Sequence, residues 1–440
     1  MMTQSPVQIA FEGPVAVVRV DNPPVNALGA AVRQGLAAAL SQIEARADLA
    51  CVLLLCEGRT FFAGADIREF DGPMAEPGLP ELCSRIEAAR VPWLAALHGT
   101  VLGGGLEVAL ACRWRVAAPG TRLGLPEVLI GVIPGAGGTV RLPRVVGVAR
   151  ALEMITTGAS IDAATALAEG LVDALAEGDL ETAARTHLAQ ALSRPLPPAT
   201  GARPAPAAAP DFWDSARAQL AARAAGAEAP LRAFDSVRHA TTAPLAGALA
   251  FETAQFRLCH GSPQARALQH LFFVERGVAR PAEIQGITPA RGRLWSRDLP
   301  DLPRDGDICI EDHATITARL AEMTRDTAPD LLAALVPALA RAGLTPLILG
   351  APVAGALGAI LARGDAGGLA RFGWPAGDGS GGDPDPATRA TLRDLVAHAQ
   401  GLIAADMATA DQIDLITVQG LGLARWRGGL MHWARGAGLA

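Results

Sequence analysis

A chain of 440 residues, half of them hydrophobic, has room for two or three domains and a sizeable core. A net charge of −6 argues against nucleic acid, because all 38 basic residues are Arg, scattered among Ala and Asp with no basic stripe. Six cysteines (Cys51, Cys56, Cys83, Cys112, Cys259 and Cys309) form no CxxC pair, and "MMTQSPVQIAFEG" has no basic region leading into an apolar one. Reduced, buried thiols in a cytoplasmic protein are the expectation.

In chain order, residues 7–20 predict two short strands around a turn, and "DNPPVNALG" a loop. "AAVRQGLAAALSQIEARA" has apolar residues at helical spacing, and "CVLLLC" (51–56) is a buried strand. The loop "EGRTFFAGAD", the helix "LPELCSRIEAAR" and the strand "VPWLAAL" follow. Strand and helix alternate, so this half is α/β. Residues 182–192 are helical. "SRPLPPATGARPAPAAAP" (193–210) has the composition of a linker, and 211–282 read as mostly helical. Residues 296–306 and 375–389 read as loops within a region of short strands and helices. The uncharged run 344–362 holds Pro346, Pro352 and three glycines, and reads as a buried strand, turn and helix rather than a membrane span.

"VLGGGLEVAL" (101–110) puts three glycines side by side and then a carboxylate in an apolar run. Glycine weakens helices, and an unpartnered buried Glu is costly. The apolar pattern after the glycines is helical, so they lie at a helix N-terminus, where backbone N–H groups are unpaired. That is how an oxyanion hole is built. A second Gly-rich loop, "FFAGADIREF" (61–70), could supply another donor. A third, "LPEVLIGVIPGAGGTVRLPRVVG" (125–147), carries Glu127. Glu107 and Glu127 in such surroundings suggest an acid/base pair. Spacing alone leaves open that Glu107 faces solvent and that Glu127 caps a helix. His98, just before the glycines, reads as a core or hydrogen-bonded residue.

The strings "NPPVNAL", "FFAGADI", "HGTVLGGGLEVALAC" and "LPEVLIGVIPGAGGTVRLPRVVG" resemble the crotonase (enoyl-CoA hydratase/isomerase) superfamily, in order and spacing, over about residues 7–190. The resemblance implies a spiral of ββα turns that binds acyl-CoA. Ala65 and Gly104 match the positions whose N–H groups hold the thioester oxygen, and Glu107 and Glu127 match the two catalytic carboxylates. The implied reaction is syn addition of water to a 2-trans-enoyl-CoA, with Glu107 deprotonating the water and Glu127 protonating the α-carbon. Ala63, Asp66 and Ile67 are expected to contact substrate. With no Lys in the chain, Arg68 would serve at the CoA phosphates. No metal and no cofactor beyond the thioester substrate are implied.

Residues 229–280 and 411–440 resemble segments of multifunctional β-oxidation enzymes that carry a 3-hydroxyacyl-CoA dehydrogenase. No G-x-G-x-x-G follows a strand between 290 and 340, so NAD is not expected. His270 in "HLFF" reads as structural. The expected organisation is a crotonase-like domain (1–192), a linker (193–210), a helical linker segment (211–295) and a mostly helical, degenerate dehydrogenase C-terminal-like domain (300–440). The leading activity is enoyl-CoA hydration. An isomerase, another crotonase-fold reaction, or a scaffold docking a β-oxidation partner enzyme are the alternatives.

Overall fold

Alternation of apolar and polar residues in "VQIAFE" and a nearly continuous apolar run in "VAVVRV" build an antiparallel pair, β1 (Val7–Glu12) and β2 (Val15–Val20). The computed structural model describes residues 5–70, 72, 75–277, 384–404, 408–420 and 423–439. The loop read at 296–306, residues 375–383 of the loop read at 375–389, the apolar run 344–362, Cys309 and the 290–340 stretch without a dinucleotide fingerprint lie outside the described residues, while the end of the second loop leads into a helix that starts at Pro386. The chain divides into two compact units, Met1–Ala221 with Glu228–Ser262, and Ala222–Ala227 with Pro263–Ala440.

In the first unit β2 pairs in parallel with β3 (Cys51–Cys56), and β3 with β4 (Trp93–Leu97). Both β3 and β4 are buried along their whole length. Strands covered on both faces are apolar at every position, which is why "CVLLLC" and "WLAAL" show no alternation. β6 (Trp114–Ala117) and β9 (Ala174–Leu175) complete a sheet of order β1-β2-β3-β4-β6-β9. A second sheet has the order β5-β7-β8, from Thr100–Leu102, Arg122–Gly124 and Ser160–Asp162.

The chain feeds the two sheets in turn. β4 leads to β5, then helix α3 (Gly104–Ala111) returns the chain to β6, and β7 follows in the second sheet. This is the expected ββα spiral. Two earlier helices, α1 (Ala30–Glu44) and α2 (Leu79–Ala88), lie where the sequence placed them. Five more follow: α4 (Gly138–Arg141), α5 (Pro143–Val146), α6 (Val148–Thr157), α7 (Ala163–Ala168) and α8 (Leu180–Leu192).

The Pro/Ala-rich stretch 193–210 is pinned rather than loose: Glu87 Oε1 accepts from the Gly201 N–H at 2.7 Å, and Arg113 donates to the Pro197 carbonyl at 2.6 Å. Three helices come next, α9 (Pro210–Ala224), α10 (Glu228–Ala240) and α11 (Leu245–His260). The division between units falls at Ser262 and Pro263, inside the segment that the sequence presents as one helical linker. α10 and α11 belong to the first unit because they bury Phe234, Val237, Ala248 and Glu252 there.

The described part of the second unit is helical: α12 (Pro263–Gly277), α13 (Pro386–Ala404), α14 (Ala410–Leu415) and α15 (Leu430–Gly436). Leu271, Leu392, Leu395, Ile413 and Leu430 form its core. A capping box of Thr409 and Gln412 starts α14. Asp414, fully buried on α14, accepts from the Met431 and His432 N–H groups at 2.6 and 3.1 Å and lies 2.9 Å from His270 Nε2. His270 therefore has a structural partner. His270, Asp411 and Asp414 bring ligand atoms within 4.8 Å of one another, but the Asp414 oxygens are already occupied by these donors. The five described cysteines are buried and unpaired. No described helix is long and apolar enough to cross a membrane.

Candidate active site

The loop after β3 is braced from the "NPPVNAL" segment. Asn26, with φ +51, donates through Nδ2 to the carbonyls of Glu57 and Thr60, both at 2.8 Å, and accepts from Asn22 N–H. Asn tolerates the left-handed region better than most residues, which accounts for its choice here. Leu28 N–H donates to the Gly64 carbonyl at 2.9 Å and Ala63 N–H to Val25. The next residues form a 3-10 turn, Ile67–Glu69, whose Glu69 accepts from Ala30 N–H and pairs with Arg33.

α3 begins against this loop. Gly103 has φ +54 and ψ −129, a conformation closed to residues with a Cβ. Gly105 approaches the Phe62 backbone so closely that a Cβ would stand 2.2 Å from the Phe62 carbonyl oxygen. A Cβ on Gly104 would lie 3.6 Å from the Ala65 nitrogen. The glycines thus bring two chain segments together, and the Ala65 and Gly104 N–H groups meet no acceptor among the described residues. Unpaired backbone donors on two segments brought this close are the kind of arrangement that can stabilise an anion.

All eight residues of α3 are buried, so Glu107 does not face solvent. Its Oε1 accepts from the N–H groups of Ala136 at 2.7 Å and Gly138 at 2.8 Å. Burial pushes its carboxyl above the usual range, while these two donors and the Arg141 guanidinium pull the other way. Glu127 opens a second 3-10 turn, Glu127–Ile130, and its side chain caps nothing. A Cβ on Gly103 would meet Glu127 Oε1 at 3.0 Å, and one on Gly138 would meet Glu107 Oε1 at 3.0 Å. Glu127 Oε2 is sealed from solvent without a hydrogen-bond partner among the described residues. Burial, and then the negative charge of Glu107, lift the Glu127 carboxyl well above its ordinary value. The pair is unequal: Glu107 has two backbone donors from another segment that favour its ionised form, whereas Glu127 is steadied only by its own backbone and is raised further by the charge of Glu107. Such a split lets one group act as base and the other as acid at the same pH.

Residues 10–201 match the family described as enoyl-CoA hydratase/isomerase. A probable enoyl-CoA hydratase of Bacillus subtilis is 44% identical over 183 residues, covering 40% of this chain and 70% of that protein. The chain belongs to the enoyl-CoA hydratase/isomerase family. A peroxisomal bifunctional enzyme of Danio rerio is 39% identical over 289 residues, 65% of this chain and 39% of that protein. The chain therefore spans about two fifths of the length of the bifunctional relatives it matches. The solved structure of Pseudomonas aeruginosa DspI is 30% identical, covering 44% of this chain and 82% of that one, with a TM-score of 0.41.

In this family member the remaining residues singled out from sequence share one loop. Ala63, Ala65, Asp66 and Ile67 are partly buried, and Arg68 is exposed. Asp66 starts the 3-10 turn by accepting from Arg68 N–H, and its carboxylate also holds the Arg68 guanidinium through Nε at 2.9 Å and Nη2 at 2.7 Å. His98 is tied to the Gly58 carbonyl at 3.3 Å through Nε2.

Sequence reasoning missed Glu252. This residue, fully buried on α11, accepts through Oε1 from Gly137 N–H and through Oε2 from Thr139 N–H and hydroxyl. Burial and the charge of Glu107 raise its carboxyl to about 8 against these bonds. One signal was available: Glu252 stands on the same face as Ala248 and Cys259, an acid in an apolar stripe.

Proposed function

We propose that the site hydrates a 2-trans-enoyl-CoA to the 3-hydroxyacyl-CoA. The observation that supports this most directly is the pair of buried, electrostatically interacting carboxylates Glu107 and Glu127, with Glu127 Oε1 against Gly103, next in the chain to Gly104, whose N–H, like that of Ala65, meets no acceptor among the described residues. The thioester oxygen would accept from both N–H groups. As water adds to the β-carbon, charge gathers on that oxygen, and the donors act where it develops. Glu107, kept ionisable by its two backbone donors, takes a proton from the water. Glu127, held protonated by burial and by its neighbour's charge, gives its proton to the α-carbon. Both groups act from one side, so the addition is syn, and proton exchange between the pair restores the starting state.

Arg68 is the cation we assign to the CoA phosphates, since it stands exposed on the loop that carries Ala65. Relatives named as bifunctional enzymes or β-oxidation multifunctional proteins suggest fatty-acid breakdown as the setting. We assign no dehydrogenase activity to residues 300–440, because the sequence there lacks the dinucleotide fingerprint.

The test follows loss of the conjugated thioester absorbance with crotonyl-CoA and a longer enoyl-CoA. Hydration is expected to fall about 10²-fold or more in both Glu107→Gln and Glu127→Gln. No NADH should form when NAD is added. No hydration of either substrate by the unaltered protein would overturn the proposal, and NADH formation would overturn the reading of residues 300–440.

A further inference from the structure

Four consecutive backbone N–H groups, those of Ala136, Gly137, Gly138 and Thr139, alternate between two buried carboxylates. Glu107 receives the first and third. Glu252 receives the second at 2.5 Å and the fourth at 2.7 Å. Its Oε2 also accepts from the Thr139 hydroxyl at 2.5 Å, and Ser236 Oγ on α10 lies 2.7 Å from that hydroxyl. Among the described residues, every hydrogen bond that the Glu252 carboxylate accepts comes from Gly137 or Thr139. It is wholly buried, and burying a carboxylate for three bonds to one short strip is a costly way to gain stability alone.

The geometry has a direct consequence. Neighbouring peptide planes share a Cα, so holding the N–H groups of Gly137 and Thr139 on one side narrows the φ/ψ range open to the glycine-rich strip and with it the directions in which Ala136 and Gly138 can point their N–H groups. The two N–H groups that hold Glu107 are thereby aimed by a residue that never touches Glu107. The same helix supports the strip one turn on, where Phe256 packs so close to Gly135 that a Cβ would stand 2.8 Å from the ring. Arg141, paired with Glu87 at 3.0 Å, donates to the Ala136 carbonyl at 2.8 Å.

We propose that Glu252 is a positioning residue of the acyl-CoA site, clamping residues 136–139 so that Ala136 and Gly138 present their N–H groups to Glu107. This rests on the hydratase reading for its kinetic consequence, though not for the clamp itself. The charged groups that face Glu252 are Glu107, Glu127 and Arg141.

The experiment uses the full chain with Glu252→Gln. A glutamine keeps the size but presents one acceptor oxygen, so it cannot hold both N–H groups. Deuterium exchange of the peptide spanning 134–141 is read first. Exchange at Ala136 and Gly138, whose own acceptor Glu107 is untouched, should speed up about tenfold while β3 and α1 stay protected. Turnover of crotonyl-CoA should fall about tenfold in kcat with KM within about threefold. The acid limb of the kcat profile should move to higher pH, because Glu107 loses donors that favour its ionised form. Should Glu252→Gln not fold, Thr139→Ala and Ser236→Ala should produce smaller changes in the same direction, about threefold in exchange. Unchanged exchange at 134–141, exchange that rises equally in β3 and α1, or a loss of kcat with the acid limb fixed would each overturn the clamp. An unaltered protein that hydrates nothing would sink the hydratase reading and leave the exchange result to decide on the clamp.

Discussion

Asp414 in the second unit and Glu127 in the first are both acids drawn out of water, and the protein treats them in opposite ways. Asp414 is met by two helix N-terminal N–H groups and an imidazole, so its burial is offset and it organises the start of α15. Glu127 has a sealed oxygen that meets no hydrogen-bond partner among the described residues, and it feels the charge of a second carboxylate. A buried polar group that is satisfied holds a fold together. One left unsatisfied in a folded protein marks a place where something other than stability was selected.

The sharpest way to break this contrast is to neutralise each acid and read both rate and stability. Glu107→Gln and Glu127→Gln should lower hydration by about 10² or more, with the fold retained. Asp414→Ala should do the reverse. It strands two N–H groups and His270, costing about 3 kcal/mol of stability in a denaturant melt, with unchanged turnover per folded molecule. A drop in turnover for Asp414→Ala at full folding would erase the distinction between the two acids.

Gly105→Ala gives an intermediate effect. Its Cβ would collide with backbone rather than with a yielding side chain, so about 1–3 kcal/mol of destabilisation is expected. The two N–H donors should also separate, seen as weaker binding of an acyl-CoA.

The smallest effect is the most diagnostic. A carboxyl whose proton affinity is raised by folding contributes stability that is complete below its unfolded value and is lost as pH rises through its folded one. Glu127 and Glu252 are both raised from an ordinary 4.5, Glu252 to about 8. The melting temperature should therefore decline between about pH 4.5 and 8. Glu127→Gln should flatten that decline and raise the melting temperature at pH 8 by about 1–2 °C, the shift that ~1 kcal/mol makes in a chain of this size. A variant less stable than the parent at pH 8 would mean that Glu127 is not held at a cost.

Much of the first unit was legible in the sequence because its signals are local. "CVLLLC" and "WLAAL" are short apolar runs between turn signals, the pattern of strands covered on both sides, and a triple glycine before an apolar helix points to a close approach. The partners in that approach were not local. Nothing near Gly105 says that the Phe62 carbonyl will lie against it. Glu252 escaped for the same reason in stronger form. "AFETAQF" reads as an ordinary helix segment, and the groups that make Glu252 special stand 113 and 115 residues earlier in the chain. The Pro/Ala-rich stretch 193–210 misled by composition, since Glu87 and Arg113 anchor its backbone at positions that no periodicity reveals.

The reach of α11 also bears on how this site can be inherited. The stretch that matches the family ends at residue 201, yet the helix that grips residues 137 and 139 starts at Leu245. A gene rearrangement that joined the first 201 codons to a new neighbour would transmit both glutamates of the pair and leave behind the carboxylate that aligns one of them. The heritable piece is the longer one, through Ser262. Exchange between relatives should be tolerated at the 262–263 junction and penalised at 201.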